Sequence, residues 1–167
     1  ELARDWIAHQ RRDEFWKHGS VAEDYSAIEC AVLAVGGWAD AYTNAVPRLL
    51  EHLSAPCRGL IGPWAHMMPN VAVPGPAIGF LHEVVRWFDR WLKDAETGVM
   101  SEPKLRAWVQ EYVTPARSYE LRPGRWVGLE TWPPREMRML ALAPGSAGEL
   151  QPRRPPEADA TPLAGPA

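Results

Sequence analysis

Cysteine is scarce: 167 residues hold only Cys30 and Cys57. Two thiols exclude a disulfide framework. Each precedes a short apolar run, so each reads as a buried thiol at the start of a strand. No apolar run approaches the roughly 18–20 residues that cross a membrane as a helix. The 18 lysines and arginines gather into no basic run, and the net charge is −3. These absences argue against nucleic-acid and membrane partners. Histidine is also thin, at five residues. His52, His66 and His82 are the candidates for a metal site, but they lack helical i, i+4 spacing and no HExxH pattern occurs. No metal and no organic cofactor are expected. Most telling is the missing nucleophile elbow. Neither His18-Gly19-Ser20-Val21-Ala22 nor Pro144-Gly145-Ser146-Ala147-Gly148 has glycines two before and two after its serine.

What is present is a core. Hydrophobic residues make up 46% of the chain and tryptophans number nine, which excludes global disorder. Residues 1–19 carry a stripe through Leu2, Trp6, His9, Asp13 and Trp16, ending at Gly19. It reads as one helix or a helix with a broken end. Ser20 to Glu29 suits a turn or short helical segment.

Ala31 to Val35 is continuously apolar and partly β-branched, with no period-2 alternation. That pattern fits a strand covered on both faces in a parallel sheet. Gly36-Gly37 ends it. Tyr42 to Leu53 follows as a helix with Pro47 in its first turn and Leu49, Leu50 and Leu53 facing the sheet. Arg58 to Gly62 is the next strand, and proline-rich residues 67–79 form a loop. Pro76 to Thr97, closed by Gly98, is the strongest helix. Ile78, Leu81, Val84, Val85, Phe88, Trp91 and Leu92 make an apolar stripe that is expected to dock on a sheet. After Gly98 come the short strand candidates 105–112, 125–129 and 137–142, separated by proline and glycine turns. The expectation is an α/β domain over 1–100, an incomplete antiparallel β region over 101–150, and a disordered or truncated tail over 151–167.

Two stretches share one grammar. Ala31 to Asp40 and Leu60 to His66 each run apolar strand, glycine turn, tryptophan, then one polar residue. Working groups in such sheets sit at the carboxyl ends of strands, and neighbouring strands lie about 4.8 Å apart. A carboxylate from one loop can therefore reach Nδ1 of an imidazole from the next, leaving Nε2 as a general base. Spacing alone leaves two other readings open: Asp40 as a helix cap, and His66 as an ordinary loop histidine.

Gly36-Gly37-Trp38-Ala39-Asp40-Ala41-Tyr42 and Ile61-Gly62-Pro63-Trp64-Ala65-His66 resemble the acid and histidine motifs of the X-Pro dipeptidyl-peptidase/cocaine esterase-like (CocE/NonD) hydrolases. Trp6, His9, Asp13 and Phe15-Trp16 resemble the segment before the acid strand. Arg86-Trp87-Phe88-Asp89-Arg90-Trp91-Leu92-Lys93 resembles the helix after the histidine. Pro103 to Val109 and Trp126 to Pro134 look like the opening strands of that family's jelly-roll domain. The resemblance implies the C-terminal strands and helices of an α/β-hydrolase sheet, followed by an incomplete jelly-roll-like domain. It implies a serine hydrolase acting on ester or amide bonds, of Xaa-Pro dipeptidyl or esterase type. Asp40 would be the triad acid, His66 the triad base, and Tyr42 would border the acyl pocket. The partners implied are a small-molecule ester or amide or a peptide substrate, and a second copy in a homodimer of the full-length protein. The cytoplasm is the favoured location. The order serine, acid, histidine puts the nucleophile before Asp40, where only Ser20 and Ser26 stand; the chain therefore reads as a fragment that is inactive alone. The alternatives are a degenerate product without activity, or a binding module.

Overall fold

The computed structural model describes residues 2–138, 140–145 and 149–153. They divide into two compact units: residues 24–135, and residues 2–23 together with the described residues from 136 onward.

In the smaller unit, helix α1 spans Leu2–Ala8 and helix α2 spans Glu14–Lys17. The break between them has a local cause. Asp13 is extended (φ −105°, ψ −171°) and its carboxylate accepts from the Phe15 N–H, starting the helix afresh. His9 Nδ1 lies 2.6 Å from the same carboxylate, and its ring stacks on Phe15 at 4.4 Å.

In the larger unit, Asp24 caps a 3₁₀ turn over Tyr25–Ala27. Strand β1 (Val32–Gly37), helix α3 (Ala45–His52) and strand β2 (Cys57–Gly62) follow. Strands β1 and β2 pair in parallel from Val32↔Cys57 to Gly37↔Gly62. Pro47 sits in the first turn of α3, where its missing N–H costs nothing. Val46 and Leu50 of α3, and Leu53 just past its end, are buried with Ala34, Cys57, Ile61, Leu105 and Ala107, whereas Leu49 is only partly covered. Burial pushes the Cys57 thiol pKa up. Cys30 corrects the expectation of two buried thiols: it is exposed, two residues ahead of the strand.

Helix α4 spans Phe80–Lys93, shorter at both ends than the stretch Pro76 to Thr97. Its start is delayed because residues 76–78 are tied to the loop: the Ile78 N–H donates to the Pro69 carbonyl and the Trp64 indole to the Pro76 carbonyl. Its end is Asp94, left-handed at φ 53°, rather than Gly98. The N–H groups of Asp94 and Ala95 both turn back to the Asp89 carbonyl. The buried face also differs from the expected stripe. Phe80 and Trp87 are buried and Val84 half-buried, while Leu81, Val85, Phe88 and Leu92 are exposed. Two apolar stripes one residue apart compete on this helix. Glu83 and Arg86 decide between them, because both reach into the fold: Glu83 accepts two hydrogen bonds from Arg106 (2.7 and 3.2 Å) and Arg86 donates to Glu102 (2.5 Å).

Strand β3 (Leu105–Gln110) pairs parallel to β2, and strand β4 (Gly124–Leu129) pairs antiparallel to β3. The mixed four-stranded sheet has the order β1-β2-β3-β4. The fold is α/β, as expected. The boundary expected near residue 100 does not interrupt the sheet, because Leu105 and Ala107 bury the same core that α3 covers. Strands β5 (Ala141–Pro144) and β6 (Leu150–Arg153), both in the smaller unit, form an antiparallel hairpin. Residues 151–153, read as the start of a tail, thus belong to a strand; the expectation for 154–167 lies outside the described residues. No helix among the described residues is long and apolar enough to cross a membrane.

Three carboxyls of the larger unit are held below their ordinary pKa: Glu83 chiefly by the Arg106 hydrogen bonds, Asp24 by Ser26, and Asp40 by the Tyr42 N–H followed by His66. A carboxyl that ionises more readily when folded adds stability above its unfolded pKa, about 3.9 for Asp and 4.3 for Glu. That stability is lost as pH falls through the lower folded values. The melting temperature should therefore hold from neutral pH to about 5 and drop below about 4. Glu83→Gln should melt lower at pH 7 and lose less on acidification. Thermal melts between pH 2 and 7 check both.

Candidate active site

Strands β1 and β2 end side by side, and their pairing continues past both ends. The Trp38 N–H donates to the Gly62 carbonyl (2.9 Å) and the Ala39 N–H to the Trp64 carbonyl (3.0 Å). Two glycines make this close approach workable. A Cβ on Gly37 would stand 2.0 Å from the Trp64 carbonyl oxygen, and one on Gly62 would stand 2.3 Å from the Trp64 ring. Trp64 itself is 1% exposed, and its indole donates to the Pro76 carbonyl at 2.8 Å. The chain then turns outward to His66.

On the β1 side a tight turn delivers Asp40, whose N–H donates to the Gly37 carbonyl at 3.1 Å. The Thr43 hydroxyl, 2.6 Å from both the Gly37 and Asp40 carbonyls, closes the turn. Asp40 Oδ1 accepts from the Tyr42 N–H at 2.9 Å. Asp40 Oδ2 lies 2.9 Å from His66 Nδ1. The Asp40 side chain is 12% exposed, against 80% for His66. The Tyr42 N–H, and then His66, hold the Asp40 carboxyl below the usual range. An ionised carboxylate only accepts, so Nδ1 carries the hydrogen in this pair. The lone pair of a neutral ring is then on Nε2, which has no hydrogen-bond partner among the described residues.

The pair borders a cleft of about 360 Å³. Val35, Trp64, Met67, Met68, Pro69 and Phe80 give it apolar walls. No serine lines it among the described residues. Ser26 Oγ donates to Asp24 Oδ1 at 2.5 Å, and Ser20 Oγ accepts from the Ala22 N–H. Ser146 lies outside the described residues.

Comparison with known proteins places this arrangement in context. A sequence model of the X-Pro dipeptidyl-peptidase (S15) family matches residues 1–68, which include both Asp40 and His66. Two mycobacterial proteins, named "Putative serine esterase Mb1866c" (Mycobacterium bovis) and "Putative serine esterase MT1883" (Mycobacterium tuberculosis), are each 30% identical over 118 residues. A crystal structure of a CocE/NonD family hydrolase from Staphylococcus aureus shares the fold at a TM-score of 0.61 and 15% identity, over 85% of this chain.

Over these stretches the chain is similar to X-Pro dipeptidyl-peptidases and shares the fold of a CocE/NonD family hydrolase.

It spans 17% of the length of the mycobacterial relatives and 23% of that of the staphylococcal structure. Within this family-like frame, the structure brings Asp40 and His66 together. Tyr42 contributes first through its backbone N–H; its ring is 70% exposed, centred 5.7 Å from the His66 ring, and does not line the cleft. Trp64 packs beneath the loops, whereas Trp38 is half-exposed, with its indole donating to the Trp108 carbonyl at 2.6 Å. His52 stacks on Tyr25 at 4.8 Å, and His82 lies on α4. Among the described residues no three side chains of metal-ligating type converge. Sequence reading overlooked Met67, Met68 and Phe80 as cleft walls. The available signal was the Met67-Met68-Pro69 run directly after His66.

Proposed function

We propose that Asp40 and His66 are the acid and base of a serine hydrolase that cleaves ester or amide bonds. The carrying observation is the 2.9 Å contact of Asp40 Oδ2 with His66 Nδ1 at the ends of two adjacent parallel strands. The kinship with serine esterases and X-Pro dipeptidyl-peptidases supports the reaction class. In this reading a serine hydroxyl adds to the substrate carbonyl while His66 Nε2 takes its proton. The imidazolium, stabilised by ionised Asp40, then protonates the leaving alcohol or amine as the carbonyl–heteroatom bond breaks. Water repeats the sequence: it adds to the acyl-serine, gives its proton to Nε2, and the serine leaves with that proton.

The serine comes from residues other than these 167, so the chain alone carries an acid and a base without a nucleophile. Incubation with a fluorophosphonate probe is expected to leave it unlabelled, and p-nitrophenyl esters should hydrolyse no faster than in buffer. Stoichiometric labelling of any of its serines, Ser20, Ser26, Ser54, Ser101, Ser118 or Ser146, would overturn the proposal that the nucleophile lies elsewhere.

A further inference from the structure

The cleft beside His66 has a composition that the acid–base pair does not require. Met67 and Met68 are 50% and 54% exposed, so the core does not account for their being apolar. With Val35, Pro69 and Phe80 they wall the same cleft that Asp40 and His66 enter. Among the described residues that line it, the ionisable side chains are Asp40 and His66, and these are bonded to each other. Asp40 already accepts from Tyr42 and His66 and is 12% exposed. An ammonium entering this space would lose water without gaining a free carboxylate, which is unfavourable. An apolar group loses nothing of that kind. Methionine adds an adaptable wall: three rotatable bonds and a polarisable sulfur fit groups of varied shape. The volume, about 360 Å³, falls in the range of small-molecule sites.

We propose that the Met67–Met68 wall takes an uncharged, apolar group bonded to the scissile carbonyl, so that these methionines set substrate preference. This rests on reading His66 as the triad base. The substrate class on this side of the site is an ester or amide with an aliphatic substituent rather than one bearing a free amine.

The test uses the 167-residue chain with 13C-methyl methionine. Because a missing nucleophile stops turnover, binding is read directly. The probes are 2-octanone, an uncharged aliphatic ketone, and alanyl-prolinamide, a compact amide with a charged amine. The ketone is expected to shift the Met67 and Met68 methyl signals saturably while those of the other three methionines, Met100, Met137 and Met139, stay in place. Alanyl-prolinamide should leave all five unmoved. Replacing both residues (Met67→Ser with Met68→Ser) should weaken ketone binding at least about tenfold. The melting temperature should not move, since both side chains are exposed. No saturable shift, equal shifts at all five methyls, or tighter binding of the amine-bearing probe would each overturn the proposal. These outcomes do not depend on whether Asp40 and His66 act as acid and base, which labelling and imidazole protonation report separately.

Discussion

His66→Ala, in a hydrolase that joins this segment to its serine nucleophile, is expected to lower kcat by about six orders of magnitude, and Asp40→Asn by about four. The asymmetry follows from the geometry. Among the described residues that line the cleft, His66 is the solvent-facing base, and without it the serine proton has no acceptor. Asp40 acts through His66. An asparagine at that position can present its amide N–H₂ to Nδ1 at the same 2.9 Å, which favours the wrong tautomer and hides the lone pair. KM should change far less than kcat in both variants, since neither change removes the apolar walls. The double variant should be no worse than His66→Ala alone, because the two residues work as one unit. Steady-state kinetics on a p-nitrophenyl ester give all three comparisons.

The second large effect concerns stability. Trp64→Ala is expected to cost about 3–5 kcal/mol, read as a fall in the denaturant midpoint without a change in slope. Trp64 is 1% exposed and centres a core cluster with Leu60, Ala72 and Phe80. Its ring also lies 6.0 Å from that of Trp126 on β4. Removing it opens a cavity between the sheet, α4 and the loop after His66. It also strands the Pro76 carbonyl, which the indole holds at 2.8 Å. Trp64→Phe keeps most of the volume but loses that hydrogen bond, so its cost should be roughly 1–3 kcal/mol. The site should loosen with the fold, since His66 stands two residues beyond this anchor.

Where the sequence was informative, a local rule applied. Val32 to Gly37 and Cys57 to Gly62 are short apolar runs stopped by glycine, and each became a parallel strand. Pro47 was correctly accommodated in a first turn. The meeting of Asp40 with His66 was legible because both extend the same sheet edge. Other features were decided by contacts distant in sequence. Helix α4 offers two apolar stripes, and only the partners Arg106 and Glu102, contributed by later residues, select the one that turns inward. The start of that helix was misplaced because the Trp64 indole holds Pro76 outside it. Residues 105–110 looked like the opening of another domain. Their pairing with β2, 46 residues earlier in the chain, makes them the third strand of the sheet. The cleft walls were harder still: Phe80 and Met67 meet only after the proline-rich loop folds back.

The account rests on Asp40 fixing the proton of His66, and one measurement addresses that directly. In long-range 15N–1H spectra of the neutral imidazole, His66 Nδ1 is expected at the shift of a protonated, pyrrole-type nitrogen, and Nε2 at that of an unprotonated, pyridine-type nitrogen. Asp40→Ala should reverse the assignment, since free histidine favours the proton on Nε2. A His66 that already carries its proton on Nε2, unchanged by Asp40→Ala, would contradict the account.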